Sequence, residues 1–144
     1  MKSDIKYVVP NDAPVPVGTT IGSSTFADWL GSDIQYSTKT AEEWLNIFNE
    51  VVDGSREPGY QGTGNTHSVM VTESWVYIEC EYKEDQKVFM SVQQALFALE
   101  KYKSFLIGRD NYSNDIPSSF EVEYEAEGEE ALDRYLETGG SLGE

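Results

Sequence analysis

The side chains that could perform chemistry in this sequence are few, and their spacing favours no catalytic mechanism. The chain contains one histidine, His67, and one cysteine, Cys80. A thiol–imidazole pair needs a thiolate, and the flanking carboxylates of Glu79 and Glu81 oppose its formation. Alternation along this segment also places Cys80 on an apolar face. We therefore expect His67 and Cys80 to have structural roles.

One segment matches the G-x-S-x-G pattern that carries the nucleophilic serine of many hydrolases. The match is Gly139–Gly143, with Ser141 at its centre. That pattern works on a sharp turn between a strand and a following helix, and only one residue follows Gly143 in this sequence. The sequence thus predicts no catalytic residues, and we interpret the protein as non-enzymatic.

Metal and phosphate sites have no better support. One histidine and one cysteine do not suffice for a zinc site of the usual kind. Segment 110–115 is rich in oxygen side chains, but Tyr112 and Asp115 break the pattern of a calcium loop. The glycine-rich segment 59–64 lacks the Gly-Lys-Ser/Thr ending of a phosphate-binding loop. We expect no metal and no cofactor.

Acidity is the property with the clearest functional meaning. The 144 residues include 26 Asp and Glu against 10 Lys and Arg, a formal net charge of -16. Residues 109–144 alone hold 11 acidic and 2 basic side chains, a net charge of -9. Such a field repels nucleic acid and anionic membranes and attracts a basic protein. We therefore expect a basic protein partner, with no direct binding of nucleic acid or membrane.

The compartment can also be predicted from the sequence. No segment approaches the roughly 20 apolar residues of a membrane span, and the apolar stretch at residues 5–8 is too short for the core of a signal peptide. A single cysteine forms no internal disulfide, which suits a reducing compartment. These features predict a cytoplasmic protein.

An acidic strand is the first candidate for a binding surface. Residues 120–127, FEVEYEAE, alternate strictly, which predicts a strand with its apolar side chains facing inward. Four carboxylates in a row repel one another, so strand stability does not favour them. The alternative is a solvated face that maintains solubility. The predicted partner-binding residues on the outer face are Glu121, Glu123, Glu125 and Glu127.

A second candidate surface lies on the alternating strand at residues 75–82. Val76, Ile78, Cys80 and Tyr82 are expected on one face. An exposed aromatic side chain beside charges is the usual composition of an interface anchor. A helix packed on the opposite face, which carries Trp75 and Tyr77, would instead bury these aromatic residues. The predicted binding residues of this opposite face are Trp75, Tyr77, Glu79 and Glu81.

A single α+β domain over residues 1–144 is expected to position both surfaces. Capping boxes predict two main helices, at 40–53 with Thr40 and Glu43 and at 91–107 with Ser91 and Gln94. We expect an antiparallel sheet of four or five strands packed against these helices. Predicted strands cover residues 5–9, 68–72, 75–82, 87–90 and 120–127, followed by a short helix at 129–137.

The remaining segments are predicted to lack regular structure. Prolines and glycines make residues 1–39 irregular apart from one edge strand, and residues 54–66 read as a long loop. Residues 138–144 are expected to form a flexible tail. The side chains expected in the hydrophobic core include Trp44, Phe48, Leu96, Leu99 and Phe105.

The segment from Trp75 to Leu106 resembles small acidic immunity proteins of bacterial polymorphic toxin systems, including the contact-dependent growth inhibition type. The similarity consists of an acidic hairpin, a strand that ends in Ser91, and an amphipathic helix of the form S-V-x-x-A-L-x-A-L-E-x-Y-x-x-F-L. The resemblance implies a cytoplasmic antitoxin that binds and neutralises one cognate toxin domain, commonly a nuclease. Inhibition would then be occlusion guided by electrostatic attraction.

Two other functions remain open at the level of the sequence. The spacing of alternate glutamates, roughly 6.7 Å, is about twice the rise per phosphate along one DNA strand. An acidic mimic of nucleic acid that inhibits a DNA-binding or phage-defence protein is therefore the alternative. The third hypothesis is an enzyme that uses surface carboxylates.

Overall fold

The fold contains eight strands and four α-helices in the residues that the computed structural model describes, which are 1–8, 14–111 and 116–143. The predicted α+β class and single domain are confirmed. The strands are β1 Lys2–Val8, β2 Val15–Gly18, β3 Gly59–Thr63, β4 His67–Val71, β5 Trp75–Cys80, β6 Lys87–Ser91, β7 Ser119–Glu123 and β8 Ala126–Glu127. The helices are α1 Ile21–Trp29, α2 Thr38–Asp53, α3 Val92–Asp110 and α4 Glu129–Glu137, and a π-helical turn, Leu30–Ile34, extends α1.

The strands form two antiparallel sheets. The expected sheet has five strands in the order β3-β4-β5-β6-β8, and a second sheet has the order β2-β1-β7. Helices α1 and α3 contact one face of the five-stranded sheet, and α2 packs on α3. Helix α4 covers the opposite face at β5 and β6. The five-stranded sheet is therefore covered by helices on both faces at β5 and β6, which is the arrangement that buries the aromatic residues of β5.

Most of the N-terminal segment is regular, so the expectation that residues 1–39 are irregular is wrong. Strand β1 is the central strand of its sheet and not an edge, and β2 and α1 follow it. Pro16 lies on β2, an edge strand that tolerates the missing N–H. Gly18 allows the close approach of β2 and α1, because a Cβ there would lie 2.3 Å from the backbone carbon of Ser23. These residue types resemble a loop in sequence but serve close packing here.

Helix α2 confirms the predicted helix and its C-terminus but not its N-cap. Its N-cap is Ser37, whose Oγ accepts a hydrogen bond from the Thr40 backbone N–H at 3.0 Å. The predicted capping box of Thr40 and Glu43 therefore lies inside the first turn. Gly54 ends the helix with a φ of 85°, the left-handed conformation that favours glycine.

Helix α3 begins as predicted and ends three residues later than expected, at Asp110. The Ser91 Oγ accepts from the Gln94 N–H at 3.0 Å, and the Gln94 Oε1 accepts from the Ser91 N–H at 2.8 Å. This reciprocal pair satisfies two backbone donors that the helix leaves free. It also fixes the start of the helix directly after β6.

The long loop expected at residues 54–66 is wrong in its second half. Residues 59–63 form β3, which pairs with β4 through a register shift between Tyr60 and Gly62. Gly59 and Gly62 adopt positive φ, at 112° and 144°. The glycines thus permit an irregular edge strand, and no phosphate cradle forms here.

The hydrophobic core contains most of the predicted side chains. Phe48, Leu99 and Phe105 are buried, whereas Trp44 and Leu96 are partly exposed and pack at its edge. Trp29 is completely buried and contacts Trp44 edge-on, with ring centroids 5.6 Å apart. The helix pattern predicted the main core correctly, and the residues on its margin are the ones that it placed too deep.

We expect Leu99→Ala to lower the free energy of unfolding by about 2–5 kcal/mol, because it leaves a cavity in a fully buried site. Leu96→Ala is the matched control on the same helix, and its partly exposed site should lose less. Urea unfolding followed by circular dichroism measures both. Equal losses in the two variants would contradict the placement of the core face of α3.

Candidate protein-binding surface

The outer face of β7 presents two exposed carboxylates. The side chains of Glu121 and Glu123 are 58% and 52% exposed, and Lys2 Nζ lies 3.9 and 3.8 Å from their oxygens. Ion pairs this exposed contribute about 0–1 kcal/mol, so they leave the carboxylates available to another cation. The structure therefore places these two predicted binding residues at the surface.

The predicted row of four glutamates is wrong beyond Glu123, because the chain changes sheets there. Strand β7 pairs with β1, whereas β8 pairs with β6 in the other sheet. Glu125 is partly buried, and its Oε2 accepts from Gln94 Nε2 at 2.8 Å. It is thus held against the N-terminus of α3 and does not continue the outer face of β7.

Glu127 has a structural position. Its Oε1 accepts hydrogen bonds from the Gly22 backbone N–H and from the Tyr124 hydroxyl, each at 2.8 Å. Gly22 lies in the first turn of α1, where free N–H groups and the helix dipole favour a negative charge. Glu127 therefore anchors α1 to β8 and is not available as part of an open acidic face.

The aromatic residues predicted as interface anchors are covered by α4. Tyr77 is completely buried, and its ring stacks on Tyr135 with centroids 5.0 Å apart. Trp75 is partly buried and stacks on Phe89 at 4.8 Å. The helix covers this face because its apolar residues Ala131, Leu132 and Tyr135 are three and four residues apart and therefore share one side of the helix. Tyr77 is thus a core residue, and its prediction as a contact residue is wrong.

Glu79 and Glu81 lie in a polar cleft of about 540 Å³ beside α4. The Tyr77 hydroxyl donates to Glu79 Oε1 at 2.8 Å, and burial together with this contact raises the pKa of Tyr77. The Ser68 hydroxyl donates to Glu81. Tyr82 is 78% exposed at the rim of the cleft, although alternation predicted it on the inner face. Both carboxylates reach the cleft, but each is already engaged by a neighbouring hydroxyl.

Phe97 is a candidate binding residue that sequence reasoning missed. It lies on α3 with 60% of its surface exposed, and Glu121 and Glu123 line the same groove between α3 and β7. Lys101 Nζ lies 5.0 Å from the centre of its ring. The sequence signal was present, since Phe97 falls outside the apolar stripe of the helix. Packing in the core does not explain an aromatic side chain at a position outside this stripe.

His67 and Cys80 face each other across the β4–β5 ladder. The Asp33 carboxylate accepts from the His67 backbone N–H at 2.9 Å and from the Thr66 N–H at 3.1 Å. His67 Nδ1 lies 2.6 Å from the Thr66 hydroxyl, and only 1% of the histidine is exposed. A substrate cannot reach the imidazole. This arrangement supports a structural role for His67. The Asp33 carboxylate links the π-helical turn to the start of β4.

The other chemical motifs are not arranged as sites. Ser141 follows α4 instead of lying between a strand and a helix, and its carbonyl accepts from the Tyr135 hydroxyl at 2.7 Å. Of the calcium-like segment, residues 112–115 lie outside the described residues. Among the residues that are described, no group of three or more His, Cys, Asp or Glu side chains is placed to hold a metal ion.

Comparison of the chain with protein-family models, with curated proteins and with solved structures finds no match. Within the described ranges, no helix is long and apolar enough to cross a membrane. The structure thus defines an acidic α+β domain with an exposed groove beside β7. We call the groove and the side chains of Phe97, Glu121 and Glu123 the β7 surface.

The different positions of the glutamates give a direct test. Glu127→Ala removes an acceptor of two hydrogen bonds to a charged group and should cost about 1–3 kcal/mol of folding free energy. Glu121→Ala, on the exposed face of β7, should stay within about 0.5 kcal/mol. Thermal and urea unfolding compare them. Similar losses in both variants would contradict the anchoring role of Glu127.

Proposed function

We propose that this protein is a non-enzymatic inhibitor that binds a basic protein domain through the β7 surface. The observation that carries this proposal is the combination of two exposed carboxylates and one exposed aromatic side chain beside a groove. All three lie on regular elements, so little conformational entropy is lost when a partner orders them. The net charge of -16 adds long-range attraction to a cationic partner.

The identity of that partner is part of the proposal. The hairpin, strand and helix between Trp75 and Leu106 resemble acidic immunity proteins, which bind one cognate toxin domain. Nuclease domains hold phosphates in cationic clefts, and an acidic surface is complementary to such a cleft. We therefore propose a cytoplasmic antitoxin whose partner is a basic toxin domain, with a nuclease as the favoured class.

The alternative of a nucleic-acid mimic loses its supporting observation. That hypothesis depended on four carboxylates at regular spacing on one strand. Glu125 and Glu127 turn toward α3 and α1, so only two members of the row remain on β7. Two carboxylates can bind a local cationic site on a partner. They are too few to imitate the extended row of phosphates along a nucleic acid.

Co-expression tests the proposal. An immunity gene is expected to lie directly after its toxin gene, so the toxin to use is the domain that the preceding gene should encode. Cells that express this domain should recover growth when the present protein is co-expressed. Purified proteins that do not bind each other, or cells that are not protected, would contradict the antitoxin function.

Charge reversal tests the location of the binding surface with the same toxin domain. Glu121→Lys with Glu123→Lys should weaken binding by more than about tenfold, since it places like charges against a basic partner. The control is Glu43→Lys with Glu57→Lys, which changes net charge equally at exposed positions on and just after α2. Calorimetry measures affinity, and unfolding curves verify the fold. Equal weakening by both pairs would mean that only overall charge matters.

Salt dependence separates steering from local contact. We expect the association rate with the toxin domain to fall by about tenfold or more between low and high salt, because ions screen the attraction. Stopped-flow fluorescence measures the rate. A rate that does not change with salt would show that the acidity of the chain serves only solubility.

A further inference from the structure

Strand β7 is an edge of the three-stranded sheet, and the β1–β7 ladder shows which of its backbone groups are free. Met1 and Tyr124 exchange two hydrogen bonds, at 2.8 and 2.9 Å, and the Tyr7 N–H donates to the Ser118 carbonyl at 3.0 Å. In an antiparallel ladder, hydrogen-bonded and non-hydrogen-bonded pairs alternate. The pairs of Lys2 with β7, and of every second residue after it, are therefore non-hydrogen-bonded.

The backbone groups of Ser119, Glu121 and Glu123 consequently point away from β1. Their register partners are Lys6, Asp4 and Lys2, which all belong to the non-hydrogen-bonded set. No other backbone or side-chain hydrogen bond involves these six N–H and C=O groups within the described ranges. An open row of donors and acceptors is a template for an additional strand.

A groove runs along this open edge. One cavity of about 300 Å³ is lined by Gln93, Phe97, Glu121 and Glu123. A second cavity of about 430 Å³ shares Phe97 and Glu121 and continues toward Ser119. Helix α3 therefore stands beside the edge without pairing with it. The space between them follows the direction of the strand.

We propose that the partner of this protein contributes an extended segment that pairs with β7 as a fourth strand of the three-stranded sheet. This inference rests on the proposed inhibitor function and specifies its mode of binding. Main-chain hydrogen bonds to Ser119, Glu121 and Glu123 would supply affinity, as in other cases of strand addition. The apolar wall of the groove at Phe97 would contact the side of the segment that faces α3.

The charge on β7 defines the sequence of that segment. Side chains directly opposite each other in a ladder lie on the same face, and opposite charges in such pairs are stabilising. Residues paired with Glu121 and Glu123 therefore carry positive charge, and the residues between them are apolar. The segment has basic residues at alternate positions. A second copy of this chain does not fit, because its own β7 would bring glutamates against glutamates.

The test uses the full chain and a synthetic peptide of nine residues with alternating Lys and Val, blocked at both ends. Its control has the same sequence with N-methyl groups on the lysine residues. This removes the N–H donors of the peptide edge that would pair with β7. We expect the first peptide to bind and to slow hydrogen exchange at the amides of Ser119, Glu121 and Glu123, measured by NMR. The N-methylated peptide should bind at least tenfold more weakly.

Two variants separate backbone pairing from charge. Glu121→Pro removes the carboxylate and the N–H at the open edge, and it leaves the β1 ladder intact because that N–H does not bond to β1. Glu121→Gln removes the same charge but keeps the N–H. We expect Glu121→Pro to bind the peptide at least fivefold more weakly than Glu121→Gln. Exchange rates of the β1 amides show whether the ladder persists in both variants.

Each other outcome overturns strand addition. These outcomes are no binding of the alternating peptide, equal affinity for the methylated peptide, unchanged exchange at β7, or equal affinities of the two variants. So does a dimer of the free chain joined through β7, detected by analytical ultracentrifugation. The inhibitor function is judged separately by the toxin assay with the charge-reversed pair. If that pair fails to bind toxin while β7 exchange is unaffected by toxin, the function stands and the binding mode is wrong.

Discussion

The structure depends on the point at which the chain leaves one sheet and enters the other. Tyr124 and Glu125 join β7 to β8, and the Tyr124 hydroxyl lies 2.7 Å from the Thr20 hydroxyl and 2.8 Å from Glu127 Oε1. The Tyr124 ring packs so closely on α1 that a Cβ at Gly22 would lie 2.5 Å from it. One tyrosine and one carboxylate thereby hold both sheets and the start of α1 together.

This junction also determines which acidic residues are free to bind. Before it, Glu121 and Glu123 face solvent at an open sheet edge. After it, Glu127 neutralises the N-terminus of α1. The acidic segment thus divides into an exposed part and a structural part within seven residues. Helix α4 covers the face of the five-stranded sheet that carries Trp75 and Tyr77, so these aromatic side chains stabilise the fold. The groove beside β7 remains as the exposed candidate surface.

Local signals in the sequence predicted the regular elements well. The capping box at Ser91, the left-handed Gly54 and the alternation before Glu123 each appear in the structure, because each depends on residues close along the chain. The N-terminal region was misread for a physical reason. Pro16 and Gly18 are typical of loops, and only their neighbours in space show that they serve an edge strand and a close packing contact.

The sequence by itself determined the α+β class, the main helices, the alternating strands and the strong negative charge. Tertiary structure alone decided which of the two faces of β5 is covered and where the exposed face of β7 ends. Periodicity separates the two faces of a strand, but it cannot say that α4 covers Tyr77 or that β7 ends at a change of sheet. Those outcomes depend on contacts between residues far apart in sequence. The exposure of Phe97 and the open edge at Glu121 arise from the same long-range packing.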